Sequence, residues 1–441
     1  MVLLALPLGA EAAEGAALPK VFQVKYTVKE REINNGRSFV SKEYVTTALK
    51  SVDEEINGLV DALDAAYAGT LTPDPGKTPR RNSRLDIHVV HSVSGESAVS
   101  FLVLARDTHN RRQVKSPFET RVYDMNTGAL ITLDDLFDQD SEAWDVLAEA
   151  VYEELNAYFP AEEADPEALL ALCGRDAIRE TPFTLGPVCL NLHYEAKALY
   201  PQHPTLMRVT VPYDALRDMM TDLGRRQTDN ASYKMVALTF DDGPSYTNTA
   251  TLLNNLRRAG AVGTFFLVGE RIEEYPDMAM RENDESHSLQ SHHYKHVNAS
   301  NSTLARTQEY TEKFYQVLTQ TVGTAPALLR APYGVFEPFI EAGVDLPMIH
   351  WGVDTKDWTG RSAAAILKVV REETRSGSII LMHDIQDQTP GAVKDVVNWL
   401  FANDFLCVTV EDLFLHNRQP FTPNQIYYRI DPNIEDFSME E

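Results

Sequence analysis

The sequence predicts a protein of the α/β class, with a separate N-terminal α+β domain ahead of a C-terminal α/β domain. The chain has 441 residues, more than a single hydrophobic core usually serves. Its contents of 44% apolar and 24% charged residues are ordinary for a folded protein. In the second half of the chain, short apolar runs alternate with helical patterns, whereas the first half mixes strands and helices without that regularity.

Residues 1–19 resemble part of a secretory signal. The apolar run at 2–9 precedes an Ala-x-Ala-like sequence at 10–12, but the basic residues that open such signals are missing. A disordered, slightly apolar start is the alternative interpretation. The run is too short to span a bilayer, and no later stretch reaches that length. We therefore expect an extracellular or cell-envelope protein whose mature chain has no stable membrane span.

Residues 20–222 are predicted to form the N-terminal domain. Apolar positions at helical spacing indicate amphipathic helices, and runs of β-branched residues indicate strands. The helices are expected at 52–67 and 142–158, and the strands at 85–90, 98–105 and 207–211. The histidines of this half are scattered and form no catalytic pattern.

Residues 223–233, LGRRQTDNASY, are polar and suit an interdomain linker. Residues 234–415 are predicted to form the catalytic domain, and residues 416–441 a C-terminal tail. Because each strand is followed by a helix, the strands should be parallel, in a barrel or an open sheet. The strands are expected at 235–240, 263–268, 327–332, 348–353, 378–383 and 407–410, and the helices at 247–259, 302–321, 361–376 and 391–402.

The net charge of -25 has the wrong sign for a protein that wraps nucleic acid or lies on an anionic bilayer. The cysteines, Cys173, Cys189 and Cys407, lie far apart without C-x-x-C spacing, so neither a zinc ribbon nor a disulfide-dense scaffold is indicated. A disulfide bond between Cys173 and Cys189 is compatible with the sequence, which does not decide whether it forms.

Ionisable residues directly follow four of the predicted strands, and in parallel α/β folds that edge binds ligands. Asp241 and Asp242 follow the first strand, and His292 and His296 have i, i+4 spacing in a histidine-rich segment. On a helical turn, both imidazoles would face one metal ion; a histidine-rich surface loop is the alternative. With Asp242 as a third ligand, open positions would remain for water and substrate, as in a hydrolytic metal centre. Asp241 would then be free to act as a general base, unless the acidic doublet only makes a turn.

The other ends of strands add further candidates. His383 could be a general acid, because histidine titrates near neutrality, and Arg330 could orient a carboxylate. Tyr333, Trp358 and Leu381 offer the apolar surface that lines sugar-binding pockets, with core packing as the alternative.

At these positions the sequence resembles the polysaccharide deacetylases with a NodB-like domain, carbohydrate esterase family 4. The family's five motifs occur in order: TFDDGP at 239–244, H-x-x-x-H at 292–296, R-x-P-Y-G at 330–334, D-x-x-D-W at 354–358 and L-x-H at 381–383. Five ordered motifs are far more specific than one. The resemblance implies a distorted, incomplete (β/α) barrel.

The resemblance also implies roles for individual residues. Asp241 would be the catalytic base and Arg330 would position it; Asp357 would orient the catalytic acid His383. Tyr333 would supply its backbone N–H to the oxyanion. Trp358 and Leu381 would wall the acetate pocket, and Asp242, His292 and His296 would bind a divalent metal, usually zinc, with cobalt and manganese as alternatives.

One position departs from the family pattern: His293 stands where a serine or threonine usually follows the first metal-binding histidine. The loop therefore lacks a hydroxyl that normally steadies it. In the first half, the segments 122–137 and 183–204 resemble, more faintly, a domain that precedes the deacetylase domain in some cell-wall deacetylases and occurs in lysozyme-sensing anti-sigma factors. We expect residues 20–222 to be an accessory envelope domain.

Together these features predict a metal-dependent hydrolase that removes N-acetyl groups from an amino-sugar polymer, and we expect it to be monomeric. Peptidoglycan, at N-acetylglucosamine or N-acetylmuramic acid, is the first candidate substrate, and chitooligosaccharide the second. A phosphohydrolase that uses the acidic doublet at 241–242 as phosphoryl acceptor is disfavoured, because the doublet lacks the D-x-D spacing of such enzymes and the histidine cluster would go unused. The remaining alternative is an inactive barrel in an envelope protein that binds wall fragments or a lysozyme-like partner.

Overall fold

The structure is a computed structural model, and it describes residues 22–33, 38–67, 83–159, 165–335 and 344–430. The expected signal-like segment at 1–19 and the last part of the expected C-terminal tail, residues 431–441, lie outside these ranges. In the described part of the chain, no helix combines the length and the apolar character needed to cross a membrane.

The first half contains a sheet in which the strand order is β1-β2-β3-β4-β6-β7, with β5 paired to β4. Only the β2–β3 pairing is parallel. The strands are β1 (Lys25–Ile33), β2 (Ser38–Thr46), β3 (Ser83–Ser94), β4 (Ala98–His109), β5 (Arg112–Lys115), β6 (Phe118–Asp124) and β7 (Ala129–Leu130). Helix α1 (Lys50–Tyr67) packs Val52, Ile56 and Val60 against this sheet, as the periodicity predicts.

A second, antiparallel sheet has the order β10-β9-β8. Its strands are β8 (Phe183–Leu185), β9 (Cys189–Glu195) and β10 (Leu206–Pro212). The helices of this region are α2 (Leu133–Leu136), α3 (Ala143–Ala157), α4 (Pro166–Leu172), α5 (Arg175–Arg179), α6 (Tyr213–Leu216) and α7 (Asp222–Gln227). Helix α3 buries Trp144, Leu147 and Val151, so the second predicted helix of this half is confirmed.

The second half is built on a parallel sheet in the order β13-β12-β11-β16-β15, with β17 paired to β11. The strands are β11 (Lys234–Asp241), β12 (Thr264–Leu267), β13 (Ser288–Ser291), β14 (Met348–Ile349), β15 (Val353–Asp354), β16 (Ile379–His383), β17 (Phe405–Val408) and β18 (Ile426–Tyr427). Leu329 bridges Ser291 on one side and Met348 on the other, which extends the parallel series to the β14–β18 pair. The parallel arrangement predicted from the strand-then-helix order is confirmed.

Helices connect these strands. They are α8 (Asn248–Ala259), α9 (Gly269–Glu274), α10 (Pro276–Asp284), α11 (Leu304–Val322), α12 (Ala363–Glu373), α13 (Thr389–Ala402) and α14 (Val410–His416). Short 3₁₀ turns occur at Ala196–Ala198, Arg217–Met219, Ala299–Asn301, Pro332–Gly334 and Asp357–Thr359. A buried core between sheet and helices, including Phe240, Leu252 and Val396, explains why the strands of this half have continuous apolar runs.

Several local predictions differ from the structure. The expected strand at 327–332 is reduced to the single bridge at Leu329, and the run at 348–353 is divided into β14 and β15. The segment expected to be a polar linker includes part of α7, and its Gln227 and Asn230 are buried, where they bond to the main chain of the first half. All three cysteines are free, so the Cys173–Cys189 bridge does not form.

The two halves meet across a buried ionic cluster. Arg257 of α8 is fully buried and contacts Glu43 of β2 at 2.9 Å and Glu285 at 2.8 Å. His88 of β3 reaches the same Glu285 at 3.2 Å. A buried ion pair tolerates neither partner's removal, because the other charge would remain desolvated. The cluster therefore ties the catalytic half to the first half.

Candidate active site

The candidate site lies at the carboxyl ends of the parallel strands. Asp241 ends β11 and His383 ends β16, and the two are direct partners in the parallel register. Neighbouring parallel strands therefore bring an acid and a histidine together from positions 142 residues apart, as the numbering shows. The prediction that the polar strand ends converge is correct for this pair.

Three side chains form a compact candidate metal-binding group. The ligand atoms of Asp242, His292 and His296 all lie within 4.8 Å of one another. Oδ1 of Asp242 is 3.4 Å from Nε2 of His292 and 3.2 Å from Nε2 of His296. That Oδ1 is buried yet accepts no hydrogen bond from the described residues. A desolvated carboxylate oxygen facing two imidazole nitrogens fits a divalent cation well.

The imidazole of His292 is held in the tautomer that a metal ligand needs. Its Nδ1 lies 2.7 Å from the backbone carbonyl of Arg330, which can only accept a hydrogen bond. Nδ1 therefore carries the proton, and Nε2 presents a lone pair toward Asp242. Burial and the neighbouring His292 lower the pKa of His296, which favours its neutral, metal-binding form.

The histidine pair lies on a loop, so the helical turn expected for it is wrong. The loop follows β13, and His293 takes a left-handed backbone conformation with φ of 63°. Two main-chain hydrogen bonds hold it, from the N–H groups of Gly269 and Glu270 to the carbonyls of His293 and Tyr294, each at 3.0 Å. Oγ of Ser291 accepts a further bond from the His293 N–H at 3.2 Å. The main chain and Ser291 therefore steady this loop without a hydroxyl at 293.

Asp241 is fixed by a single buried arginine. Nη1 of Arg330 donates to Oδ1 of Asp241 at 2.7 Å and to Oγ1 of Thr239 at 2.8 Å. The same guanidinium donates to the carbonyls of Ile349 and His350. Arg330 has no exposed surface, so its own position is fixed by these contacts. It therefore holds the Asp241 carboxylate in one orientation and provides it with a positively charged partner.

His383 is paired with Asp357 on the 3₁₀ turn after β15. Nδ1 of His383 donates to Oδ1 of Asp357 at 2.8 Å, and the backbone N–H of His383 donates to Oδ2 at 2.7 Å. Burial by itself would lower the pKa of His383, but the hydrogen bond and charge of Asp357 raise it to about 9. The imidazole is therefore protonated at neutral pH and can donate a proton.

The three expected substrate-contacting residues differ in exposure. Leu381 is buried and lies two residues before His383, so both side chains face the same side of the sheet. Trp358 is 54% exposed, beside Asp357. Tyr333 is 61% exposed, and its ring centroid lies 4.4 Å from that of His296. Exposed rings at a polar rim are available to a ligand rather than to the core.

Three residues of the site were not predicted from the sequence. Thr239 shares the Arg330 donor with Asp241, and Thr389 donates to Oδ2 of Asp357 at 2.5 Å. Asp384 is fully buried behind the site, and burial raises its pKa to about 7. Strand alternation could have identified Thr239, since it lies two residues before Asp241. No signal in the sequence points to Thr389.

The fold and site define an α/β protein with a candidate metal centre of two histidines and one aspartate at the ends of parallel strands. The family model for polysaccharide deacetylase matches residues 228–343. A peptidoglycan-N-acetylglucosamine deacetylase of Bacillus cereus is 31% identical over 191 residues, which are 41% of this chain and 88% of that protein. The chain belongs to the polysaccharide deacetylase family, carbohydrate esterase family 4.

Two longer relatives extend the similarity into the first half. The peptidoglycan-N-acetylglucosamine deacetylase PgdA of Listeria monocytogenes is 28% identical over 303 residues, 66% of this chain. The peptidoglycan-N-acetylmuramic acid deacetylase PdaC of Bacillus subtilis is 23% identical over 372 residues, 78% of each chain. The match spans 64% of the length of PgdA.

Proposed function

We propose that this protein is a metal-dependent hydrolase that removes N-acetyl groups from the amino sugars of peptidoglycan. One observation carries the proposal: a carboxylate, Asp241, and an imidazole, His383, are register partners on neighbouring strands. Oδ2 of Asp241 lies 3.9 Å from Nε2 of His292, one member of the Asp242, His292 and His296 group. A base and an acid on either side of a metal centre are what amide hydrolysis requires. Three of the relatives are named as peptidoglycan deacetylases, which supports the proposed reaction and substrate.

Asp242, His292 and His296 would hold the divalent metal, with zinc the first candidate and cobalt or manganese the alternatives. When bound, such an ion polarises an acyl carbonyl and makes a nearby water easier to deprotonate. Asp241, held by Arg330, would accept a proton from the attacking water. His383, held by Asp357, would donate its proton to the departing amine. The C–N bond breaks, and the products are acetate and a free amine.

The neighbouring residues would orient the acetylated sugar. The backbone N–H of Tyr333 would donate to the oxyanion, and Leu381 and Trp358 would wall the acetate pocket. A hydrogen-bond donor positioned where negative charge develops typically lowers the activation free energy by about 3 kcal/mol. A distorted (β/α) barrel, an accessory role for residues 20–222 and a location in the cell envelope belong to the same proposal.

The test is acetate release by the full chain with zinc, measured on N-acetylated peptidoglycan and on chitotetraose. Asp241→Asn should keep stoichiometric zinc but lower turnover by about 10²-fold or more, because the base is lost while the ligands remain. His292→Ala should lose both zinc and turnover. Product analysis by mass spectrometry would separate glucosamine from muramic acid.

The control is Asp354→Asn, on the same rim. Oδ1 of Asp354 accepts a hydrogen bond from the N–H of Lys356 at 2.8 Å, and Asp354 forms no ion pair with any described residue. This variant should release acetate at the wild-type rate. An Asp241→Asn protein with full activity, or a zinc-loaded wild type that releases no acetate from either glycan, would refute the mechanism and favour an inactive binding protein.

A further inference from the structure

A cleft of about 700 Å³ lies between the two halves, separate from the metal group. Its walls are β3 and the end of β4 on one side and α8 and α10 on the other. A volume of this size accommodates a small ligand. The cleft is lined by arginines although the whole chain carries a net charge of -25.

One of these arginines is buried without forming an ion pair. Arg106 is only 4% exposed, and its Nε and Nη2 donate at 2.9 Å to Oε1 of Gln113 and to the carbonyl of Asp277. In the described ranges, no carboxylate oxygen lies within the 4.0 Å of an ion pair with Arg106. Asp277 and Asp284 interact with Arg106 electrostatically from beyond that distance. The four arginines that line the cleft nevertheless outnumber its two aspartates, Asp86 and Asp277, so the lining keeps an excess of positive charge that an anionic ligand would neutralise.

A second arginine extends over the cleft from the turn between β4 and β5. The guanidinium carbon of Arg111 lies 4.1 Å from the ring centroid of Tyr246, and Arg111 makes no ion pair with any described residue. Tyr246 comes four residues after the candidate ligand Asp242 and is 40% exposed. The end of the cleft at Tyr246 is therefore joined by a short stretch of chain to the candidate site.

The other arginines of the cleft are already neutralised. Arg84 pairs with Asp86 at 2.7 Å, and Arg281 pairs with Glu285 at 2.7 Å. An incoming anion would therefore meet Arg106 and Arg111. A guanidinium binds a carboxylate through paired hydrogen bonds, while the amides of Asn110 and Asn254, which also line the cleft, suit sugar or peptide groups.

We propose that this cleft binds the free carboxylate of a peptide-substituted amino sugar, so that the protein engages acidic glycan at a place other than its reacting acetyl group. The proposal rests on the proposed function for the class of ligand. It predicts a preference for peptide-bearing wall fragments over neutral chitooligosaccharide. Both halves of the chain would then contribute to substrate recognition.

The experiment is calorimetric titration of the full chain, treated with EDTA so that no turnover occurs. The probe is N-acetylmuramyl-L-alanyl-D-isoglutamine, which carries one carboxylate, and its matched control is the same compound with that carboxyl converted to an amide. Arg111→Gln, at an exposed position, should weaken binding of the acid at least tenfold, because a charge-assisted hydrogen bond is lost. Arg106→Gln should do the same, with its fold checked by circular dichroism.

Arg112→Gln provides the protein control, since Arg112 is the exposed neighbour of Arg111 and does not line the cleft. It should bind the acid as the wild type does. Equal affinity for acid and amide, an Arg111→Gln protein with unchanged affinity, or an equal loss of affinity in Arg111→Gln and Arg112→Gln would overturn the proposal. Tighter binding of glycerol phosphate than of the acid would overturn the assignment to a carboxylate.

Acetate release from neutral chitotetraose by the zinc-loaded wild type decides the proposed function separately. If the protein binds the acid more tightly than the amide but releases no acetate, the proposed cleft is supported and the proposed function is wrong. If it releases acetate but binds acid and amide equally, the proposed function is supported and the proposed cleft is wrong.

Discussion

Asp357 holds His383 through both of its carboxylate oxygens, one on the imidazole Nδ1 at 2.8 Å and the other on the backbone N–H at 2.7 Å. The carboxylate thus fixes the ring and the end of β16 together. A further bond, from Thr389 at 2.5 Å, anchors it to the start of α13. The orientation of the proposed acid is consequently set by three separate segments of the chain.

Asp357→Asn should lower the pKa of His383 from about 9 toward or below the ordinary 6.5, because burial would act without the opposing charge. The imidazole would then be mostly neutral at pH 7.5, whereas in the wild type it keeps its proton until the pH rises through about 9. Histidine NMR titration of the metal-free protein measures this directly. Asp354→Asn should leave the titration unchanged, and an unchanged His383 titration in Asp357→Asn would contradict the assigned cause.

Zinc should raise the melting temperature of the wild type but not of His292→Asn. Binding to the folded state alone contributes about 2.7 kcal/mol at a hundredfold excess over Kd. His293→Asn is the control, because His293 is not among the clustered ligand atoms and asparagine tolerates its positive φ of 63°. Scanning calorimetry with and without zinc gives the shifts. If His293→Asn also lost the shift, the neighbouring histidine would have to be counted as a ligand.

Gly243→Ala should impair both zinc binding and acetate release. A Cβ at this position would lie 2.1 Å from Oδ2 of Asp384, so the chain after Asp242 would have to move. Gly58→Ala is the matched control in the middle of α1, where an added Cβ meets nothing within 4 Å. That variant should gain about 0.5–1 kcal/mol in unfolding free energy. Urea unfolding and zinc titration distinguish the two variants. If Gly243→Ala bound zinc as tightly as the wild type, the close contact with Asp384 would not be needed to position Asp242.

Glu43→Gln should lower the unfolding free energy at pH 7 by about 3 kcal/mol, since Arg257 loses one of its two buried partners. Burial alone would raise the pKa of Glu43, but Arg257 and His88 lower it to about 2. A carboxyl with a depressed pKa stabilises the fold above its unfolded value of about 4.3, and this contribution disappears as the pH falls toward 2.

The wild type should therefore lose stability between about pH 4.3 and 2 more steeply than Glu43→Gln. Glu309→Gln removes a carboxylate from an exposed ion pair with Lys313 and should leave the acid transition as it is. Urea unfolding at several pH values measures all three proteins. Parallel pH profiles for wild type and Glu43→Gln would mean that Glu43 does not carry this acid sensitivity.

The sequence predicted the parallel strands and the convergence of their polar ends, because a local pattern marks each strand and the residues that follow it. The run at 235–240 ends in Asp241, and β11 ends at that residue. The Asp242, His292 and His296 group was predicted as a set, but its backbone was not. The i, i+4 spacing fits a helix, whereas main-chain bonds from Gly269 and Glu270 hold the two histidines in a loop. Spacing alone cannot distinguish a helix from a loop held by a distant element.

The contacts between the halves could not be predicted from the sequence. Arg257 occurs in an ordinary amphipathic pattern on α8, and Glu43 lies in a strand with no catalytic feature. They are 214 positions apart in the sequence, and no local signal encodes their pairing. The polar segment at 223–233 was misleading for a related reason: Gln227 and Asn230 are buried because the main chain of the first half provides hydrogen-bond partners for them.

The ionic cluster around Arg257 limits how this chain could be recombined. A graft of the deacetylase domain onto another front domain would leave Arg257 and Glu285 facing a surface that lacks the glutamate at 43 and the histidine at 88. Exchange of whole domains would therefore have to carry those two residues along, or replace the arginine in the same event. A cut within residues 223–233 alone would separate Arg257 and Glu285 from Glu43 and His88, so a chimaera joined there should be less stable than the intact chain.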